Sequence, residues 1–315
     1  MTNFQSFSFP SSDGLHTVQA VEWTPSAPPR AVVQLVHGIS EHMGRYDHFA
    51  RFLNEHGFAV CGHDHLGHGR TAAGPGEYGF LGERNGWDYL ARDVHALRER
   101  EGEHFPGLPW FLLGHSMGSF VARTCLIRWP GMVDGCILSG TGQESAPLVA
   151  FGKAISSLLC AVRGSNTRSK LVTSLSLGAY NRQFRPNRTA NDWISRDEAV
   201  VDAYNADPLC QFVPTVGMFR DMMGGLQFIG SPANLKHMDP DTPVLLFSGD
   251  RDPVGGSGAG VRKVAGLFRD AGVRDLTLKL YPEGRHEMLN ERNREEVYAD
   301  VLAWLEAHLP PSSNG

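Results

Sequence analysis

The stretch Phe111–Ser119, FLLGHSMGS, carries the most specific chemical pattern in the chain. Gly114, Ser116 and Gly118 read G-x-S-x-G straight after an apolar run. A serine on a sharp turn between a strand and a helix is held in a strained conformation, with its Oγ exposed above the sheet. Glycines on each side avoid collisions with the neighbouring strand and helix. The next residue, Met117, would open the helix, and its backbone N–H can donate to an oxyanion. The pattern alone also fits a glycine-rich tight turn with a capping serine. Its strand–turn–helix context favours a nucleophile.

A serine at its free pKa attacks poorly, so a base must take its proton and a third group must orient that base. In this architecture the chain order is Ser, then Asp or Glu, then His. His286 in YPEGRHEMLN follows the last strand-like run, and Asp250 and Asp252 follow the one before it, in LLFSGDRDPVG. Both loops then sit at C-terminal strand ends, where an open α/β sheet gathers its site. Asp252, preceding Pro253, lies deeper in its loop and can point back across the sheet. Asp250 directly follows Gly249 and can cap the turn, so Asp252 is preferred. A second oxyanion donor is expected from VHGISEH after the first long strand: the N–H of Ile39, with Gly38 permitting the bend.

These residues need a scaffold. FQSFSF and HTVQAVEW alternate apolar and polar around Asp13-Gly14, which predicts an antiparallel hairpin. Continuous apolar runs follow at 31–36, 58–62, 110–114, 133–140, 243–249 and 276–281. Continuous apolarity fits strands covered on both faces. Helical patterns alternate with them at 46–56, 87–103, 120–129, 261–271 and 294–308. The expected class is α/β, a mostly parallel eight-stranded sheet with helices on both faces. Trp87, Trp110 and Trp304 fall within these elements and read as core, and the last helix as an ordinary covering helix.

The alternation breaks over residues 142–239, which read as a helical insertion. It divides the sheet domain into 1–141 and 240–309, with a tail, 310–315, expected to be disordered. In PLVAFGKAISSLLCAV, residues Leu148, Phe151, Ile155, Leu158 and Val162 form one apolar stripe. SRDEAVVDAYNADPL predicts a helix capped by Ser195, VGMFRDMMGGLQFI another amphipathic helix, and DPLC either cap packing or an edge of the substrate pocket.

Composition bounds the function. With 315 residues and 41% hydrophobic residues the chain can bury a large core, and a net charge of -5 argues against a nucleic-acid binder. The N-terminal residues lack the basic and apolar regions of a signal peptide, and no apolar run approaches a membrane span. Five scattered cysteines without a CxxC pair fit reduced thiols, so a cytoplasmic location is expected. Cys61, Cys125 and Cys136 read as small buried hydrophobes.

At this point a family resemblance is plain. HGISEHMGRYDHFARFLNEHGFAVCGHDHLGHGRT, GHSMGS, GDRDPV and EGRHEMLNE resemble the monoacylglycerol lipase and lysophospholipase group of the α/β-hydrolase superfamily, grouped by sequence with serine aminopeptidases. The resemblance runs from about Gly14 to Leu309 and is weakest in the insertion. It implies Ser116 as nucleophile, His286 as base, and Asp252 as the orienting acid, three residues after the strand-end Gly249. It also implies Ile39 and Met117 as the oxyanion donors and the insertion as a cap over the acyl site. Two departures stand out: Ser119 replaces a glycine frequent in GHSMGG, and Leu289 replaces a second histidine that animal-type members carry.

The expected activity is a serine ester hydrolase acting on a mono-acyl lipid through an acyl-enzyme, without cofactor or metal. A short-chain carboxylesterase or a serine aminopeptidase is the alternative. His63, His65 and His68 form an H-x-H-x-x-H array similar to that of binuclear zinc hydrolases, but Gly67 stands where a carboxylate normally precedes the third histidine. A non-catalytic binding module would usually lack a triad member. Phe151, Ile155 and Leu158 are candidate walls of an acyl tunnel that loosely touches lipid surfaces; packing of their stripe against the sheet is the equal alternative.

Overall fold

The computed structural model describes residues 2–169, 172 and 177–310. The alternating segments around Asp13-Gly14 form β1 (Thr2–Pro10) and β2 (Thr17–Pro25), an antiparallel hairpin. The apolar runs become β3 (Ala31–Val36), β4 (Phe58–His63), β5 (Trp110–His115), β6 (Gly135–Ser139), β7 (Val244–Gly249) and β8 (Leu276–Tyr281). They join in one eight-stranded sheet of order β1-β2-β4-β3-β5-β6-β7-β8, parallel from β4 through β8. This is the mostly parallel sheet expected. Every residue of β3 to β7 is buried, because helices cover both faces.

Two cores result. On one face, α2 (Gly86–His104), α3 (Met117–Arg128) and the helix Ala259–Asp270 bury Leu90, Val94, Val121 and Phe268 against Val32, Leu112 and Leu246. On the other, α1 (Asp47–Glu55) and the helix Arg294–Ala307 bury Phe49, Leu53, Val301 and Leu305 against Val33, Leu113 and Phe247. Trp87, Trp110 and Trp304 are all buried. The chain leaves β3 toward β4 on one side and leaves β5 toward β6 on the other. That reversal opens a crevice at the C-terminal ends of β3 and β5, where ligands bind in open α/β sheets.

Between β6 and β7 the described residues are helical: α4 (Ala146–Arg163), α5 (Glu198–Ala206), α6 (Val216–Ile229) and short turns at Leu177–Tyr180 and Pro232–Leu235. The cap of α5 is Asp197 rather than Ser195: Asp197 accepts from the Ala199 N–H, while the Ser195 hydroxyl accepts from the Asp197 N–H and donates to the Asn290 carbonyl. Residues 311–315 of the tail lie outside the described residues.

The stripe on α4 departs from both expectations. Leu148, Phe151, Leu158 and Val162 are 55–72% exposed and Ile155 is 39% exposed. Val149 and Ser156 are the buried residues of the helix. Its partner is α6, where a Cβ on Gly152 would lie 3.2 Å from Met223 Sδ and Lys153 Nζ donates to Gln227 Oε1 at 2.9 Å. Small residues allow that close helix approach, so the small-residue face turns inward and the apolar stripe outward. The helix is also long and apolar enough to cross a membrane by length and composition, contrary to the expectation that no run approaches a span.

Close approach explains the glycines of G-x-S-x-G. A Cβ on Gly118 would lie 2.0 Å from the Val36 carbonyl oxygen, and one on Gly114 would lie 2.5 Å from the Gly118 carbonyl oxygen. Gly266, inside the helix Ala259–Asp270, has open space where its Cβ would go. Gly118→Ala should therefore lower the melting temperature by the equivalent of about 1–3 kcal/mol of overpacking. Gly266→Ala should raise it by roughly 0.5–1 kcal/mol through helix propensity. Thermal unfolding of the two variants beside the parent checks both signs.

Candidate active site

Ser116 terminates β5 at φ 52, ψ -123, a conformation that costs a non-glycine residue energy. The turn is held on both sides: the Ser116 N–H donates to the Ser139 carbonyl at 2.9 Å, and the Ser119 hydroxyl donates to the Ser116 carbonyl at 2.6 Å. Ser119, the departure from GHSMGG, thus adds a buried hydrogen bond to the turn. Met117 is the first residue of α3, so its N–H is one of those left free of intrahelical partners.

The loop after β7 brings Asp252 to His286. His286 Nδ1 lies 2.9 Å from Asp252 Oδ1, and both residues are buried. Asp252 is itself fixed, accepting from Ser248 Oγ at 2.7 Å and from the Val254 N–H at 2.9 Å. Asp250 is only partly buried, and its N–H donates to the Tyr281 carbonyl at the strand end. Burial alone would raise the carboxyl pKa of Asp252, but His286 and these hydrogen bonds outweigh it and hold the carboxyl below its usual range. For His286 burial opposes the cation. The Asp252 carboxylate, aided by Glu287 and Glu41, outweighs it and raises the imidazole above 6.5. The His286 ring lies between Trp193, 5.0 Å away, and His115, 4.7 Å away. Burial lowers His115 to about 3, so that neighbouring ring is neutral.

The loop after β3 runs against the serine. A Cβ on Gly38 would lie 2.9 Å from Ser116 Cβ, so glycine is needed there for close approach rather than for a bend. The His37 Nδ1–H donates to the Gly38 carbonyl at 2.7 Å. In a trans peptide the C=O and N–H point opposite ways, so the Ile39 N–H faces away from that ring. His37 is fixed in turn: its Nε2 accepts from the His65 N–H at 3.0 Å, and His65 Nε2–H donates to the His37 carbonyl at 3.2 Å.

The H-x-H-x-x-H array is thus part of this support. His63, His65 and His68 are buried, and burial lowers His63 to about 3, His68 to about 4 and His65 well below its usual value. The His65 and His68 rings pack tilted against His37, and His63 packs edge-on against His65. Among the described residues, the groups whose donor atoms converge enough to share an ion are His42–Asp207–Cys210 and Glu22–Glu101–His104, neither of which contains the array.

Sequence reasoning missed an ionic cluster beside the serine. Arg45 donates to both oxygens of Glu287 at 2.7 Å and to Glu41 Oε2 at 3.1 Å, and its guanidinium lies 4.9 Å from the Tyr204 ring centroid. Glu41 Oε1 also accepts from the Gly38 N–H and the Tyr46 hydroxyl. The signal was the E-x-x-x-R spacing in EHMGR and the glutamate after His286. Trp193 and Ser248 had no such signal.

Two hollows meet at Ser116. One, of about 480 Å³, is lined by Ile39, Glu41, His286, Tyr204, Asn205 and Cys210, among others. The second, an apolar cleft of about 90 Å³, also touches Ile39 and Trp193 and is walled by Phe120, Phe219, Met222, Met223 and Leu226. Phe151, Ile155 and Leu158, expected to line a tunnel, border neither hollow. Leu289 is buried in the core beneath the helix Arg294–Ala307, its carbonyl accepting from the Tyr298 hydroxyl.

Comparison with known proteins agrees with this architecture. Residues 27–293 match the family described as serine aminopeptidase, S33. The chain is 33% identical over 307 residues to a monoacylglycerol lipase of Mycolicibacterium smegmatis, covering 96% of this chain and 97% of that protein. It is 30% identical to the human monoglyceride lipase, over 90% of this chain and 84% of the relative. Its structure superposes on that of a thermostable carboxyl esterase from Bacillus coagulans, solved with glycerol, with a TM-score of 0.91, 32% identity and coverage of 98% and 99%. With the family model spanning most of the chain and relatives of this identity along nearly its whole length, the protein belongs to the serine aminopeptidase S33 family of α/β-hydrolases.

Proposed function

We propose that this protein is a serine ester hydrolase that cleaves mono-acyl lipids, monoacylglycerols or lysophospholipids, through an acyl-enzyme. The observation that carries this reading is the position of Ser116. It lies beside the His286–Asp252 pair, where a wider hollow that carries Glu41, Asn191, Asn205 and Gln211 among its apolar walls meets a narrow cleft without such an array. One substrate with a polar head and one acyl chain matches that division.

In this mechanism His286 takes the Ser116 proton as Oγ attacks the ester carbonyl. Asp252 holds the ring with Nδ1 protonated and stabilises the imidazolium. The Ile39 and Met117 N–H groups receive the oxyanion. His286 then protonates the leaving alcohol and later activates the water that releases the fatty acid. Phe219, Met222, Met223 and Leu226 share one face of α6 and would take the acyl chain, each buried methylene contributing about 0.8 kcal/mol. Methionines adapt to chains of different shape. Glu41, Tyr204 and Asn205 line the side that would take the alcohol head. The names of the lipase relatives support this choice of substrate.

The exposed stripe of α4 lies one helix outside that cleft, because α4 packs on α6 beside Met223. In this reading it rests on a lipid surface and brings the cap to its substrate.

An activity panel of p-nitrophenyl esters, monoacylglycerols, lysophospholipids and aminoacyl arylamides tests the proposal. The expected order is mono-acyl lipids first. Preference for short esters or for arylamides would instead favour a carboxylesterase or an aminopeptidase. Ser116→Ala should abolish turnover and fluorophosphonate labelling while leaving circular dichroism unchanged.

The pH profile tests the base. His286 accepts a proton only when neutral, and its pKa is raised, so kcat/KM should climb along a limb above pH 6.5. Asp252→Asn should cut the rate by about 10⁴-fold and move that limb to lower pH, since the carboxylate that favours the imidazolium is gone. Asp250→Asn should do neither.

The surface role is tested with Phe151→Asp combined with Leu158→Asp. Both side chains are exposed, so the melting temperature and the turnover of a soluble short ester should hold. Partition onto phosphatidylcholine vesicles should fall roughly tenfold or more, given the burial energy of two large apolar side chains. Unchanged partition would remove α4 from the lipid contact.

A further inference from the structure

Away from Ser116, two carboxylates interrupt apolar surfaces that face each other. On β2 the buried side runs Val18, Ala20, then Glu22, which is 2% exposed. On α2 the buried stripe runs Leu90, Val94, Leu97, then Glu101, which is 3% exposed. An apolar residue at either place would continue the core. Burying two like-charged groups together is costly unless something neutralises them.

The protein's own cations do so only in part. His104, one turn after Glu101 and largely exposed, has Nδ1 3.1 Å from Glu22 Oε2 and 3.6 Å from Glu101 Oε2. Arg100 Nε stands 3.6 Å from the other Glu101 oxygen, Oε1, and its guanidinium lies 4.9 Å from the Phe7 ring centroid. Glu101 Oε2 is buried with no hydrogen-bond partner among the described residues.

We propose that Glu22, Glu101 and His104 form a site for a divalent cation of the manganese or zinc type, which fastens the end of α2 to β2. The three donor atoms lie within 4.8 Å of one another. An ion with ligands at about 2.1 Å holds neighbouring donors roughly 3.0–3.4 Å apart, close to the observed 3.1 and 3.6 Å. The orphaned Glu101 Oε2 gains a partner, and the repulsion between the carboxylates becomes shared attraction to one charge. A recess of about 610 Å³, rimmed by Gln5, Phe7, Arg100 and Glu103, opens onto the trio and leaves room for water on the remaining coordination positions. That recess shares no residue with the hollows at Ser116, so the ion acts on the fold and not on the reaction.

The other converging trio, His42–Asp207–Cys210, differs. His42 Nε2 already pairs with Asp207 Oδ2 at 2.8 Å, and its Nδ1 accepts from the Gly44 N–H. It also offers a thiol, which suits zinc but not manganese. Manganese therefore separates the two trios.

The experiment titrates Mn²⁺ into the full chain, stripped with EDTA and held at pH 8, and follows the six-line electron paramagnetic resonance signal of the free ion. One Mn²⁺ per chain should be taken up, and the melting temperature should rise with the logarithm of its concentration. His104→Ala removes an exposed ring without disturbing the core and should weaken uptake at least tenfold; Glu101→Gln should abolish it. Cys210→Ala should leave uptake unchanged. If the free signal persists to millimolar Mn²⁺, or if His104→Ala and Glu101→Gln bind as the parent does, the site is refuted and the carboxylates are instead held by a shared proton.

Discussion

The structure depends on one strained residue. At Ser116 the chain turns from β5 into α3 at a positive φ that a side chain tolerates only when the surroundings over-determine it. The surroundings do so. The Ser139 carbonyl holds the N–H, the Ser119 hydroxyl holds the carbonyl, and Gly118 lets α3 press against the end of β3. The same contact sets the loop after β3 beside the serine. Strand order then matters as much as local strain: β3 and β5 are neighbours whose chains depart in opposite directions, so the crevice and the strained turn coincide.

Around that turn, electrostatics divides the work between neutral and charged groups. His37, His63, His65, His68 and His115 are buried and kept neutral. His37, His65, His68 and His115 contribute ring hydrogen bonds and His63 packs as a ring, and none adds charge near the serine. His286 differs because Asp252 stands against it and Glu41 and Glu287 lie close by. The difference between one basic imidazole and five inert ones is therefore set by the placement of carboxylates, not by burial, which all six share. Arg45 keeps the two glutamates from overwhelming the site: it holds Glu287 ionised, while Glu41, more weakly paired, is pushed up by burial.

Much of this was legible in the sequence, and the part that was not has a physical cause. Period-2 alternation and continuous apolar runs located all eight strands, because side-chain direction in a strand is fixed by the backbone. Ser116, His286 and the pair Asp250 and Asp252 could be singled out because each follows a predicted strand, and the family resemblance, with its acid three residues after Gly249, favoured Asp252. The insertion was harder. The 3.6-residue period identified the apolar stripe of α4, but periodicity reports which residues share a face and not what covers it. Gly152 and Ser156 decided that, by allowing α6 close on the opposite side. Trp193 touches His286 from a turn outside any helix or strand, where no spacing rule operates.

The division of labour between sheet and insertion accounts for the breadth of the family's names. The proposed reacting groups, Ser116, Asp252, His286 and the N–H donors of Ile39 and Met117, all stand on strand ends or the first turn of α3. The walls that would meet the substrate come largely from the insertion: Trp193, Tyr204, Asn205, Cys210 and the Phe219–Leu226 face of α6. The insertion docks on the sheet domain at His286, where the His286 and Glu287 N–H groups donate to the Trp193 and Ile194 carbonyls. Sequence change in α6 can then reshape the apolar cleft while the bonds around Ser116 stay as they are. A peptidase, an esterase and a lipase can share one sheet for this reason, and the distinction between them has to be read from Met222, Met223 and their neighbours rather than from G-x-S-x-G.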